Sequence, residues 1–116
     1  MSDYASRLRA RQVQFMRLVP RLIDKAFELG FEVTGGDLMR DGRCPYGSKS
    51  SKHGRRLAID INLFRDGVYL KNGEDYRELG EYWESLGMIW GGRFGDDPAT
   101  PKIEGWDANH FEGLDP

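Results

Sequence analysis

The chain is poor in the residues that build disulfide frameworks and cysteine-rich metal modules. It holds one cysteine and two histidines in 116 residues. Cys44, alone, excludes an internal disulfide and a cysteine-rich structural zinc module, and reads as a bystander thiol. Long apolar runs are missing as well, so nothing predicts a membrane span. Met1 to Gln12 is mostly polar and charged and lacks the apolar core of a secretory signal, which predicts synthesis in the cytoplasm without export by that route. An excess of one charge is also absent. Seventeen Lys and Arg against nineteen Asp and Glu give a net charge of −2, without the basic surplus expected of a nucleic-acid partner. The basic cluster Arg7, Arg9, Arg11 reads as a solvated helix face. The length suits one compact domain, taken as residues 1–116.

Periodicity predicts the elements. From about Tyr4 to Leu29, Phe15, Leu18, Val19, Leu22, Ile23, Ala26 and Phe27 recur at three- and four-residue steps, which marks a helix with one apolar stripe. Pro20 lies inside it and either starts a second helix or kinks a long one; Gly30 is the stop. Phe31 to Thr34 alternates and reads as a short strand. A long Gly/Ser/Lys-rich connection over residues 35–52 follows, of the kind that is usually functional or mobile. Leu57 to Phe64 is the clearest strand. It carries Leu57, Ile59, Ile61 and Leu63 on one face and Ala58, Asp60 and Asn62 on the other. Asp66-Gly67 predicts a hairpin turn. A second helix is expected from about Asp75 to Leu86, with Gly87 as its stop, then a brief strand at Met88 to Trp90 and a last strand at His110 to Glu112. The sum is an α+β fold, a small and largely antiparallel sheet with helices packed on one side.

Two segments carry chemistry: Ser51 to Asp60, and Trp106 to Glu112. Each holds one of the two histidines with a carboxylate nearby. A catalytic zinc takes three protein ligands and keeps one position open. His53, Asp60 and His110 can supply three ligands, with Asp107 left to work on water as a general base. Taken singly, these residues have plainer roles. Asp60 in an apolar strand is equally a partner for Arg55, Arg56 or Arg65, because a buried carboxylate must be paired or bound to metal. His110 alone reads as a hydrogen-bonded strand histidine, and Asp107 alone as a turn cap. Glu112 is placed to steady a ligand histidine. Trp90, Trp106 and Tyr46 either wall a cleft or fill the core.

The spacing Ser51-x-His53-x6-Asp60, followed by Asp107-x-x-His110, resembles the zinc peptidases of the D-alanyl-D-alanine carboxypeptidase type. That family includes VanX- and VanY-like enzymes and phage L-alanyl-D-glutamate endopeptidase endolysins. The strand Leu57-Ala58-Ile59-Asp60-Ile61-Asn62-Leu63-Phe64 is similar to that of the compact phage members. So are Leu79 to Gly87 and the Trp90-Gly91-Gly92-Arg93-Phe94 turn, and the likeness runs from about Phe15 to Glu112.

The resemblance implies one zinc ion held by His53, Asp60 and His110, with Asp107 as general base. It implies an oxyanion-binding arginine in Gly36-Asp37-Leu38-Met39-Arg40, so Arg40, with Arg43 as the alternative because the stretch after Arg40 departs from the family pattern. Ser51 and Trp106 become substrate-binding candidates. Asp107, in place of glutamate, is similar to the endolysin branch. The implied partner is the peptidoglycan stem peptide, cut between L-Ala and D-Glu at the cell wall by a monomer. The alternatives are a D,D-carboxypeptidase or dipeptidase of the same family, or a non-catalytic wall-binding or virion module on the same fold.

Overall fold

The computed structural model describes residues 3–36, 55–93 and 107–116. Among them, the chain runs α1 (Tyr4–Glu28), β1 (Glu32–Gly35), β2 (Ala58–Arg65), β3 (Val68–Tyr69), a 3-10 turn (Gly73–Tyr76), α2 (Arg77–Ser85), β4 (Ile89–Trp90), a second 3-10 turn (Gly91–Arg93) and β5 (His110–Glu112). The sheet order is β1-β2-β5-β4, with β3 also on β2, and every pairing is antiparallel. The α+β class read from the sequence is the class observed.

Helix α1 begins where Asp3 accepts a hydrogen bond from the Ser6 amide at 2.8 Å, satisfying one of the donors a helix start leaves open. It ends in a Schellman motif. Gly30 takes φ +90°, its N–H reaches the Phe27 carbonyl at 3.0 Å, and the Phe31 N–H reaches that of Ala26 at 3.1 Å. Pro20 neither starts a second helix nor breaks this one. It sits on the exposed side, where water can take the carbonyl that proline cannot bond. Phe27, expected in the apolar stripe, is 56% exposed. Phe15, Val19, Leu22 and Ala26 centre the buried face, and Phe27 stands about 100° round from Ala26, off that face.

The Asp66-Gly67 turn is a two-residue hairpin with both φ values positive (53° and 78°), and it pairs Arg65 with Val68. Strand β2 is the hub. Its second half pairs with β1 along one edge and its first half with β5 along the other. Leu57, Ile61 and Leu63 join Phe15 and Leu22 of α1, Leu79 and Trp83 of α2, and Phe111 of β5 in one core. Trp83 meets Phe15 and Phe111 edge-on, with ring centroids 5.9 and 6.4 Å apart. Because strand side chains alternate, packing that face against the helices sends Ala58, Asp60, His110 and Glu112 to the opposite face. No helix among the described residues is long and apolar enough to cross a membrane.

Candidate active site

Asp60 and His110 are direct cross-strand partners in the β2–β5 ladder, with Ala58 opposite Glu112 one pleat further on. Opposed residues of an antiparallel pair share a face and bring their Cβ atoms within about 4.5–5.5 Å. Here His110 Nδ1 lies 3.4 Å from Asp60 Oδ1, and His110 Nε2 lies 2.8 Å from Glu112 Oε1. The second contact is a full hydrogen bond to the carboxylate two residues on, whereas 3.4 Å is long for one. Glu112 thus holds the far side of the ring and turns Nδ1 toward Asp60.

The pair is buried: the His110 side chain is 7% exposed and that of Asp60 16%. Burial alone disfavours a charged imidazole. Hydrogen bonds to Asp60 and Glu112, with the fields of Asp107 and Glu112, outweigh it and push the His110 pKa up to about 9. A cluster of carboxylates around one imidazole is a site that calls for positive charge. It also matches the donor chemistry of zinc. Two ligand atoms each about 2.0–2.1 Å from a tetrahedral zinc are about 3.3 Å apart, close to the 3.4 Å separation of Asp60 Oδ1 and His110 Nδ1. Metal-bound histidines commonly give their other ring N–H to a carboxylate, as His110 does to Glu112. Among the described residues no three His, Cys, Asp or Glu side chains converge as a complete metal-binding group. His53, the third ligand implied by the resemblance, lies outside them, as do Ser51, Arg40, Arg43, Cys44, Tyr46 and Trp106.

The backbone around this pair is pressed close. The Gly36 amide donates to the Asp60 carbonyl at 2.7 Å, and a Cβ at Gly36 would lie 2.9 Å from that of Asp60. A Cβ on Gly91 would meet the Asp107 carbonyl oxygen at 2.3 Å and His110 Cβ at 2.8 Å. Only glycine allows such approaches. Asp107 begins the turn into β5, its carbonyl accepting from the His110 amide at 3.0 Å. Asn109, between them, donates through its side chain to Asn62 at 3.0 Å, and its carbonyl accepts from the Ile61 amide at 2.8 Å. Sequence reasoning passed over Gly36 and Gly91 as site residues. The adjacent glycines at 35–36 and 91–92 were the available signal, but a glycine pair marks a turn as readily as a tight contact.

Trp90, weighed as cleft wall or core, is core: it is fully buried and its indole donates to the Ala108 carbonyl at 2.7 Å. Trp83 is equally buried, its indole N–H shared between the Ile89 and Glu112 carbonyls at 3.1 Å each.

An antiparallel sheet with a carboxylate and a histidine opposed on its helix-free face fits a hydrolase site. Residues 46–113, more than half of the chain, match the family described as D-alanyl-D-alanine carboxypeptidase. The chain belongs to that family, and it is therefore a peptidase whose family acts on peptidoglycan-type substrates. No curated protein matches the chain significantly.

Proposed function

We propose that this chain is a zinc-dependent peptidase that hydrolyses an amide bond in the peptidoglycan stem peptide, and that the bond is L-Ala–D-Glu. His53, Asp60 and His110 would hold the metal. Bound there, zinc would supply Lewis acidity to the scissile carbonyl and would lower the pKa of nearby water. The remaining work falls to side chains. Asp107 takes the proton from the attacking water and returns it to the departing amine. Arg40, with Arg43 as the alternative, steadies the charge that develops on the carbonyl oxygen. Glu112 holds the His110 ring by Nε2, and Ser51 and Trp106 contact the stem peptide.

The observation that carries this reading is the opposed Asp60–His110 pair, 3.4 Å apart and backed by Glu112 at 2.8 Å. Family membership supports the peptidase chemistry. The Asp107-x-x-His110 spacing and the β2 sequence support the endopeptidase branch. The family description itself favours a second reading, a D,D-carboxypeptidase releasing terminal D-Ala.

Zinc content and digestion of purified peptidoglycan, measured for wild type beside Asp107→Asn, test the proposal. One zinc in each protein with lysis by wild type alone is the expected result. Absence of bound zinc, or equal lysis by both, would overturn the mechanism. Products from defined muropeptides separate the two bonds: a new D-Glu amino terminus marks the endopeptidase, and free D-Ala marks the carboxypeptidase.

A further inference from the structure

We infer that Trp90 is a positioning residue for the hydrolytic reaction, its indole N–H setting the Asp107–His110 turn relative to Asp60. The inference rests on the reading of Asp107 as general base and His110 as metal ligand.

Trp90 donates to the carbonyl of Ala108 at 2.7 Å. That carbonyl lies inside the turn joining Asp107 to His110, so the bond pins the short stretch of backbone shared by the two groups. The indole ring itself has little freedom. A Cβ on Gly80 of α2 would lie 2.1 Å from the Trp90 ring, and one on Gly92 would lie 2.1 Å from it as well. The ring therefore occupies a slot that only two glycines leave open. Arg93 ties the same segment to α2 through a two-pronged bond to Glu84, at 3.1 Å for each prong. Gly91, next in the chain, is pressed against the Asp107 carbonyl and His110 Cβ.

Trp90 and Gly91 thus both touch the turn, and Gly92 leaves room for the Trp90 ring. A side chain that merely filled volume would need no donor aimed at this carbonyl. Trp83 provides the contrast. It is as buried as Trp90, but its N–H joins β4 to β5 at the Glu112 end.

The effect is expected in kcat. A reacting group misplaced by about 1 Å can cost roughly 100-fold in rate, while zinc and substrate still bind. Steady-state kinetics on a defined muropeptide, with zinc content and thermal midpoint measured alongside, test this in Trp90→Phe. The expected result is one zinc per chain, unchanged KM, and kcat lower by roughly 10–100-fold. Trp83→Phe is expected to lose similar thermal stability and to keep most of its kcat. Should Trp90→Phe not fold, 3-benzothienylalanine in place of Trp90 keeps the shape of the ring in its slot and removes only the N–H donor; the same loss confined to kcat is expected.

Wild-type kcat in folded Trp90→Phe, or in the benzothienylalanine protein where Trp90→Phe does not fold, overturns the inference. So does a loss of kcat that only tracks thermal stability across Trp83→Phe and Trp90→Phe. Asp107→Asn separates this from failure of the underlying reading. If Asp107→Asn is fully active, the assignment of the base fails. If it is inactive while folded Trp90→Phe is fully active, only the positioning role fails.

Discussion

Asp60 and His110 face one another across β2 and β5, with Oδ1 and Nδ1 3.4 Å apart on the sheet face turned away from the helices. The ladder holds both backbones, so side-chain separation is set by the register rather than by a loop. Glu112, at the next same-face position of β5, completes the arrangement at 2.8 Å from His110 Nε2.

Glu112→Gln removes the charge behind the ring and keeps its size. Outer carboxylates of this kind typically contribute about 10–100-fold to metal affinity. Competition against a chromophoric chelator should show zinc affinity weakened by about that factor, with stoichiometry retained. Unchanged affinity would mean that Glu112 only fills space.

Asp107→Asn should retain zinc, because Asp107 is assigned to water rather than to the metal. Proton transfer by a positioned side chain is worth about 10²–10⁴-fold, and peptidoglycan turnover should fall by that order. Loss of zinc from the variant would instead make Asp107 a ligand.

Gly36→Ala would set a Cβ 2.9 Å from Asp60 Cβ, between strands already joined by the 2.7 Å bond from the Gly36 amide to the Asp60 carbonyl. Overpacking of this kind costs about 1–3 kcal/mol. Both the thermal midpoint and zinc affinity should fall, since Asp60 must shift to accommodate the methyl group. A lower midpoint with wild-type zinc affinity would show that the contact serves the fold alone.

Tyr76 sets an alkaline limit. Its hydroxyl is buried, accepts from the Leu63 amide at 3.2 Å and donates to the Leu70 carbonyl at 2.8 Å. Burial foremost pushes its pKa from 10.0 to about 12. A group whose pKa is raised by folding stabilises the native state below its unfolded pKa and loses that contribution as pH rises through the folded value. Stability from Tyr76 is therefore complete below about pH 10 and decays toward pH 12. Tyr76→Phe should cost about 1–3 kcal/mol at neutral pH and flatten this limb in denaturant titrations followed across pH. An unaltered limb would assign the alkaline loss to other groups.

Much of the scaffold was legible because it depends on neighbours in the chain. The four buried positions of α1 repeat at three- and four-residue steps, Gly30 supplies the left-handed stop, and Asp66-Gly67 supplies a turn whose φ values are both positive. Alternation along β2 separates Asp60 from Leu57, Ile61 and Leu63 whatever strand pairs with it. Phe27, in the apolar stripe yet 56% exposed, marks the limit of such local pattern. A stripe of apolar residues shows which side of a helix is buried, but not how wide the buried face is.

Residue types and spacings alone determined which groups the site could use: two histidines, each near a carboxylate, and an aspartate in the most apolar strand. The pairing of Asp60 with His110, the carboxylate of Glu112 behind the ring, and the Trp90–Ala108 bond beneath the turn were decided only in three dimensions. The reason is physical. Local pattern sets the face on which a side chain stands, because that follows from backbone geometry within a few residues. Strand register and glycine-width clearances depend on packing between segments distant in the chain, and only the folded core, with Trp90 held between Gly80 and Gly92, selects one register among several.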